Sequence, residues 1–213
     1  DVAYMAYVFI HGLGQNSSSW DQTVSYLTKH HHVNCPDLSK MLHEKEATYH
    51  NLYSSFVHYC EQIDQPLHLC GLSLGGILAL NYAIDYPEKV ASLVLLGTQY
   101  NMPKLLLKCQ NIIFRFLPKS SFDQLGFNKN DFIQLTNSML DLNFTSQLID
   151  ISCATLIVCG AKDYPNKNAS KALVKHIPKA ELQLMPNAGH ELNTQAPQKL
   201  AQILETFYEA RQF

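Results

Sequence analysis

The sequence predicts an α/β fold: a mostly parallel central sheet with helices on both faces and a small helical insertion. Three observations carry this. Short, continuous apolar runs recur along the chain (YVFI, LHLC, VASLVLL, CATLIVC), separated by segments of helical periodicity. Apolar residues at every position, rather than at alternate ones, mark strands covered on both faces, as in a parallel sheet. The 213 residues are 46% hydrophobic and only 16% charged, against roughly 25% charged in an average globular protein, which calls for a large core.

Tyr7–Ile10 is the first predicted strand and runs into HGLG at 11–14. Ser17 to His30 reads as a helix, with Trp20, Val24 and Leu27 at helical spacing, followed by a short run from His32 to Cys35 that Pro36-Asp37 stops. Thr48 to Gln62 is helical through Leu52, Phe56 and Tyr59. Leu67–Cys70 is a strand, Leu74–Ile84 a helix and Val90–Leu96 a buried strand. After a gap, Cys153–Cys159 is a buried strand, Ala169–Ile177 a helix, Glu181–Met185 a strand and Pro197–Tyr208 a closing helix. The gap lacks a strand pattern and looks helical, so the expected organisation is a core of residues 1–99 and 151–213 interrupted by an insertion, 100–150.

Composition removes several function classes. A formal net charge of −2 is the opposite of the basic surface that nucleic-acid binding requires. No apolar run approaches the roughly 18 residues of a membrane span, and the first ten residues lack the basic-then-apolar layout of a secretory leader. The six cysteines (Cys35, Cys60, Cys70, Cys109, Cys153, Cys159) show neither C-x-x-C nor metal-ligand spacing. Free thiols, no metal and a reducing, cytoplasmic compartment are the expectation.

The chemistry is concentrated in GLSLGG at 71–76. The stretch falls where a predicted strand hands over to a predicted helix, the place of a nucleophile elbow. On such a turn Ser73 projects its hydroxyl clear of the sheet, and Gly71 and Gly75 are needed where bulkier residues would collide. A serine hydroxyl needs a base, and the base an orienting acid. Asp163 follows the strand ending at Cys159, and His190 follows the next one. All three positions lie at carboxyl ends of strands, where ligands gather in parallel sheets. Asp141 and Asp150 are alternative acids at the insertion's end, and Asp37 reads as a turn and loop anchor. Among the other histidines, His30, His31 and His32 end a helix and look solvated; His43, His50, His58 and His176 lie on or near helices. His68 sits within a strand and packs. The oxyanion needs amide donors: the Leu74 N–H, next after the nucleophile, and the Leu13 N–H, which Gly12 and Gly14 let turn inward. His11 either braces that loop or titrates in catalysis.

Taken together, HGLG at 11–14, GLSLGG at 71–76, GAKD at 160–163 and AGH at 188–190 resemble the α/β-hydrolase superfamily, in its small esterase-like branch. HGLGQNSSSW followed by GLSLGG looks particularly like the carboxylesterases that cleave a methyl ester on an acyl carrier protein. The order Ser73, Asp163, His190 is that family's order. The sequence departs from the family in two places: only about six residues precede Tyr7, where members open with a hairpin, and Pro36-Asp37-Leu38 runs on into SKMLHEKEAT instead of a Gly-rich loop.

The resemblance implies that the insertion is a helical lid. Met102–Phe116 is its first predicted helix, with Pro103 at the first position and Pro118 ending it. Lys104, Lys108 and Arg115 fall within about 40° on a helical wheel, with Leu106, Ile113 and Leu117 opposite. Two readings stand: a solvated outer face above an apolar pocket roof, or docking of an acidic partner or anionic lipid surface. The expected function is a cofactor-free serine hydrolase of carboxylic esters or thioesters acting on a small or acyl substrate. The alternatives are a triad-dependent lyase or C–C bond hydrolase, and a non-catalytic ligand binder. The oligomeric state stays open.

Overall fold

The structure, a computed structural model, describes residues 5–28 and 32–210. In order along the chain the elements are β1 (Ala6–Ile10), α1 (Asp21–Ser25), β2 (Val33–Asn34), α2 (Leu38–Leu42), α3 (Tyr49–Glu61), β3 (Leu67–Leu72) and α4 (Leu74–Asp85). There follow β4 (Val90–Leu96), α5 (Lys104–Phe116), α6 (Lys129–Ser138), β5 (Ala154–Gly160), α7 (Tyr164–His176), β6 (Ala180–Met185), α8 (Leu192–Gln195) and α9 (Pro197–Glu209). The sheet order is β2-β1-β3-β4-β5-β6, and every pairing is parallel.

Two apolar cores, one on each face, explain why the strands read as unbroken apolar runs. Ala6, Val8 and Ile10 face one core, with Leu69, Leu93, Leu95 and Ile157 from the neighbouring strands and α3 and α4 above them. Tyr7 and Phe9 face the other, with Cys70, Leu72, Val94, Leu96, Leu156 and Val158, covered by Trp20 and by Leu200, Leu204 and Phe207 of α9. Side chains alternate between the faces as strand geometry requires, and both faces of the four central strands are covered, while the edge strands β2 and β6 are partly exposed. His68 lies in the sheet and packs, stacked on Tyr7 at 4.6 Å with its Nδ1 2.7 Å from Ser92 Oγ.

The elements match the sequence reading closely, with informative exceptions. The helix expected over Ser17 to His30 is a single 3-10 turn, Ser17–Trp20, followed by a short α1; its last expected residues lie outside the described ones. Helix α7 begins at Tyr164, five residues before the expected Ala169, because Pro165 sits in the first turn, where a missing N–H costs nothing. Pro103 occupies the N-cap of α5 rather than its first helical position. The SKMLHEKEAT segment contains α2, capped by Asp37, whose Oδ1 accepts from the Ser39 and Lys40 amides. Burial alone would push the Asp37 carboxyl up, but the Ser39 hydroxyl and the Lys40 amide hold it below its ordinary value.

Between β4 and β5 the insertion carries α5 and α6, and an antiparallel bridge pairs Asn101 with Asn143 at its base. Phe114, Phe122, Phe127 and Phe132 pack edge to face, with centroids 5.0 to 6.2 Å apart, in an aromatic cluster continuous with the core on that face of the sheet. Lys129 closes the end of α5 by donating to the carbonyls of Arg115 and Leu117.

Candidate active site

The strand order reverses between β1 and its neighbours β2 and β3, which opens a crevice at the carboxyl ends of the strands. Five loops meet there, following β1, β3, β4, β5 and β6. They carry Leu13, Ser73, Gly97, Asp163 and His190 respectively.

Ser73 joins β3 directly to α4 and has φ 53° and ψ −113°, a left-handed conformation strained for any residue with a Cβ. The elbow survives because its flanks are glycine. A Cβ on Gly71 would overlap the Gly75 carbonyl, and one on Gly75 would overlap the Ile10 carbonyl. The elbow therefore needs small residues on both sides for close backbone approach. Gly12 is different: a Cβ there would lie 3.3 Å from the Leu72 carbonyl oxygen, a tight contact and no overlap. Leu74 opens α4, so its N–H has no intrahelical acceptor and points with the helix N-terminus toward the crevice.

Asp163 lies at the junction of β5 and α7, 4% exposed. Its Oδ2 accepts from His190 Nδ1 at 2.7 Å, leaving His190 Nε2 to the crevice, and the His190 side chain is 39% exposed. Ser73 and His190 line one cavity of about 830 Å³, together with Leu13, Leu74 and the inner side of the insertion, including Leu106, Ile113 and Phe132. Asp141 is exposed, pairs with Lys104 at 2.7 Å and is not among the cavity's lining residues; Asp150 is also exposed and outside that lining. Among the described residues, none cluster as metal ligands, and all six cysteines are free thiols, Cys109 exposed at the cavity wall.

His11 is 1% exposed, its Nδ1 donating to the Gly12 carbonyl and its Nε2 accepting from the Leu38 amide. These bonds use up both nitrogens of a neutral ring and tie the Leu13 loop to α2. Burial pushes its pKa below the ordinary 6.5, against the pull of the Gly12 carbonyl and Asp37. The unfolded chain binds a proton that the fold excludes. Stability is therefore full above about pH 6.5 and falls as the pH drops toward the folded value. A His11→Gln variant is expected to show a shallower fall of Tm than the wild type between about pH 6.5 and pH 5, measured by thermal melts; parallel slopes would contradict it.

Three groups at the site carry no motif signal. Asn166 Nδ2 donates to both Asp163 oxygens, at 2.8 and 3.0 Å, while its Oδ1 accepts from Gln99. Gln15 and Asn193, both buried, exchange amide bonds at 3.0 Å and tie the Gly12 loop to the His190 loop. Gly97, at φ 51°, lies under the Asp163–His190 pair; a Cβ there would stand 2.9 Å from both Asp163 Oδ2 and His190 Nδ1. Gly97→Ala is expected to lower kcat by about 10²-fold through misplacement of that pair, and an unchanged kcat would contradict this.

The chain is 22% identical to a monoacylglycerol lipase of Mus musculus over 250 residues, covering 94% of this chain and 74% of the lipase. It is 28% identical to a pimeloyl-[acyl-carrier protein] methyl ester esterase of Wigglesworthia glossinidia brevipalpis over 141 residues, 64% of this chain and 51% of the esterase. A hydrolase from Pseudomonas aeruginosa superposes with a TM-score of 0.83 at 19% identity, over 98% of this chain and 91% of that one. Esterase and lipase relatives support hydrolase activity. Residues 7–203 match the alpha/beta hydrolase family, and the chain belongs to that family.

Proposed function

We propose that this chain is a serine hydrolase of carboxylic esters with an apolar acyl portion. The observation that carries the reading is one cavity lined both by a strained, half-buried elbow serine and by a histidine whose Nδ1 is held by a buried aspartate.

Ser73 Oγ attacks the ester carbonyl carbon while His190 Nε2 takes its proton. Asp163 fixes the Nδ1–H tautomer, so Nε2 has a free lone pair, and it stabilises the imidazolium as it forms. The Leu13 and Leu74 amides donate to the oxygen that gains charge, each worth about 2.7–4 kcal/mol in such sites. The tetrahedral species collapses, His190 protonates the departing alcohol oxygen, and an acyl-Ser73 ester remains. Water, deprotonated by the same Nε2, attacks that ester and releases the acid.

The cavity wall supports the substrate class. Ile77, Leu106, Leu107, Ile113, Phe114 and Phe132 line it, and Lys162 is the one lysine or arginine among the described lining residues. A lyase that holds substrate carboxylates calls for more cationic lining than this. The insertion acts as a lid in this reading, supplying the apolar wall opposite Ser73.

The test is hydrolysis of p-nitrophenyl esters from acetate to decanoate. Turnover is expected across the series, with kcat/KM rising from acetate to medium chains. A preference for acetate, or no turnover of any member, would contradict the acyl pocket.

A further inference from the structure

Helix α5 turns an apolar face to solvent. Its inner arc, Leu107, Asn111 and Phe114, packs against α6 and the phenylalanine cluster. At about 100° per residue, the basic arc of Lys104, Lys108 and Arg115 lies beside that inner arc. Leu105, Ile112 and Phe116 lie beyond it, 77%, 55% and 86% exposed. Leu106 and Ile113, 49% and 59% exposed, continue the arc to the cavity wall that they line. The expected arrangement, with the apolar side wholly roofing the pocket, holds only for Leu106 and Ile113; Leu117 lies outside the lining. The apolar strip thus runs without a break from the cavity mouth across the outside of the helix. A contiguous exposed patch of this kind marks an interaction surface.

We propose that this strip docks on an anionic lipid surface and that the substrate enters the cavity from it. The docking stands on α5 alone; the entry of substrate rests on the serine-hydrolase reading. Charge selects the occupant. Lys108 and Arg115 rim the strip, exposed Lys119 follows just beyond the helix, and α5 itself carries no acidic residue. Lys104 is already paired with Asp141. An apolar strip with a cationic shoulder is the form of a helix lying in a membrane interface. A second copy packed antiparallel on the same face about a two-fold axis would bring the two cationic shoulders together. A partner held by charge alone would leave Leu105, Ile112 and Phe116 uncovered. A surface of acyl chains under anionic headgroups meets both features at once, and the strip leads from it to Ser73.

The test is flotation of the full chain with vesicles of phosphatidylcholine mixed with phosphatidylglycerol, and with vesicles of phosphatidylcholine alone. The double variants are Leu105→Ser with Phe116→Ser, and Lys108→Glu with Arg115→Glu. The wild type is expected to float with the mixed vesicles and more weakly with phosphatidylcholine. Each double variant is expected to partition about tenfold less or lower. Turnover of a short, soluble p-nitrophenyl ester is expected to be unchanged in both variants, which verifies their folding. Vesicle binding unaffected by Leu105→Ser with Phe116→Ser would overturn the docking, as would absence of binding by a wild type that turns over the soluble ester. Charge-dependent capture by an acidic carrier protein without vesicle binding would overturn it too, as would a dimer abolished by the apolar variants. Vesicle binding by a wild type without esterase turnover would overturn the serine-hydrolase reading and leave the docking standing.

Discussion

Ser73→Ala is expected to lower ester turnover by about 10⁴-fold or more, with KM and Tm close to wild type. The magnitude follows from what is removed. The hydroxyl is the nucleophile of the first step, and without it no acyl-enzyme forms for the water that His190 later activates. Substrate still fills the apolar cavity, because the residues that line it are untouched. The lost interaction exists only as the carbonyl carbon is attacked, so the change appears in kcat. Alanine keeps a Cβ at φ 53° and therefore keeps the backbone strain, so no stability gain accompanies the loss. Purified Ser73→Ala assayed beside wild type decides the matter; retention of about a tenth or more of wild-type kcat would remove Ser73 from the mechanism.

Asp163→Asn is expected to cost about 10⁴-fold in kcat at neutral pH while the fold stands. The neighbouring amide explains why so small a change is so costly. Asn166 Nδ2 donates to both Asp163 oxygens, and Gln99 donates to Asn166 Oδ1, fixing which way that amide points. An asparagine at 163 satisfies the Asn166 donor by turning its own oxygen toward it, so its NH₂ faces His190 Nδ1. That arrangement makes Nδ1 an acceptor and puts the proton on Nε2, the nitrogen that must be free to take the serine proton. The variant keeps a hydrogen bond to His190 and loses the tautomer. Measurement of kcat beside a thermal melt separates the two effects. A variant that keeps most of its activity would place the acid elsewhere, with Asp141 and Asp150 next in line, although both are exposed and outside the cavity lining.

Much of this was legible in the sequence because the fold places its chemistry at the ends of recognisable elements. Each of GLSLGG, GAKD and AGH begins within four residues of the carboxyl end of a strand, and the first two follow strands that read as apolar runs. Parallelism followed from unbroken apolarity, since both faces of the central strands are covered, whereas the strand order is visible only in the structure. What escaped the reading depends on proximity across the chain. Gly97 looks like any strand-ending glycine until β4 and β5 pair and bring Asp163 over it. Gln15 and Asn193 are 178 residues apart, and nothing local to either marks the bond between them. Asn166 lies ahead of the expected helix start at Ala169, and the structure places it in the first turn of α7, behind Pro165.

The insertion shows the limit most plainly. Periodicity located α5 and separated its basic arc from its apolar one, but it could not say which arc meets the body of the protein. The aromatic cluster around Phe132 decides that. It draws Phe114 and Leu107 inward, and that rotation leaves Leu105, Ile112 and Phe116 in solvent. His11 shows the same limit in miniature. Both readings of it were chemically sound, and the Leu38 amide 3.0 Å from its Nε2 shows a nitrogen already engaged in structure.

The most direct test of the account is to trap the covalent intermediate. The chain, quenched in acid during turnover of p-nitrophenyl butyrate and digested, is examined by mass spectrometry for an acyl adduct. The expected result is a butyryl mass on the peptide containing Ser73, accumulating with a burst of p-nitrophenol and absent from Ser73→Ala. A butyryl group carried stably by another residue, or ester turnover with a burst that survives in Ser73→Ala, would contradict the mechanism at its first step.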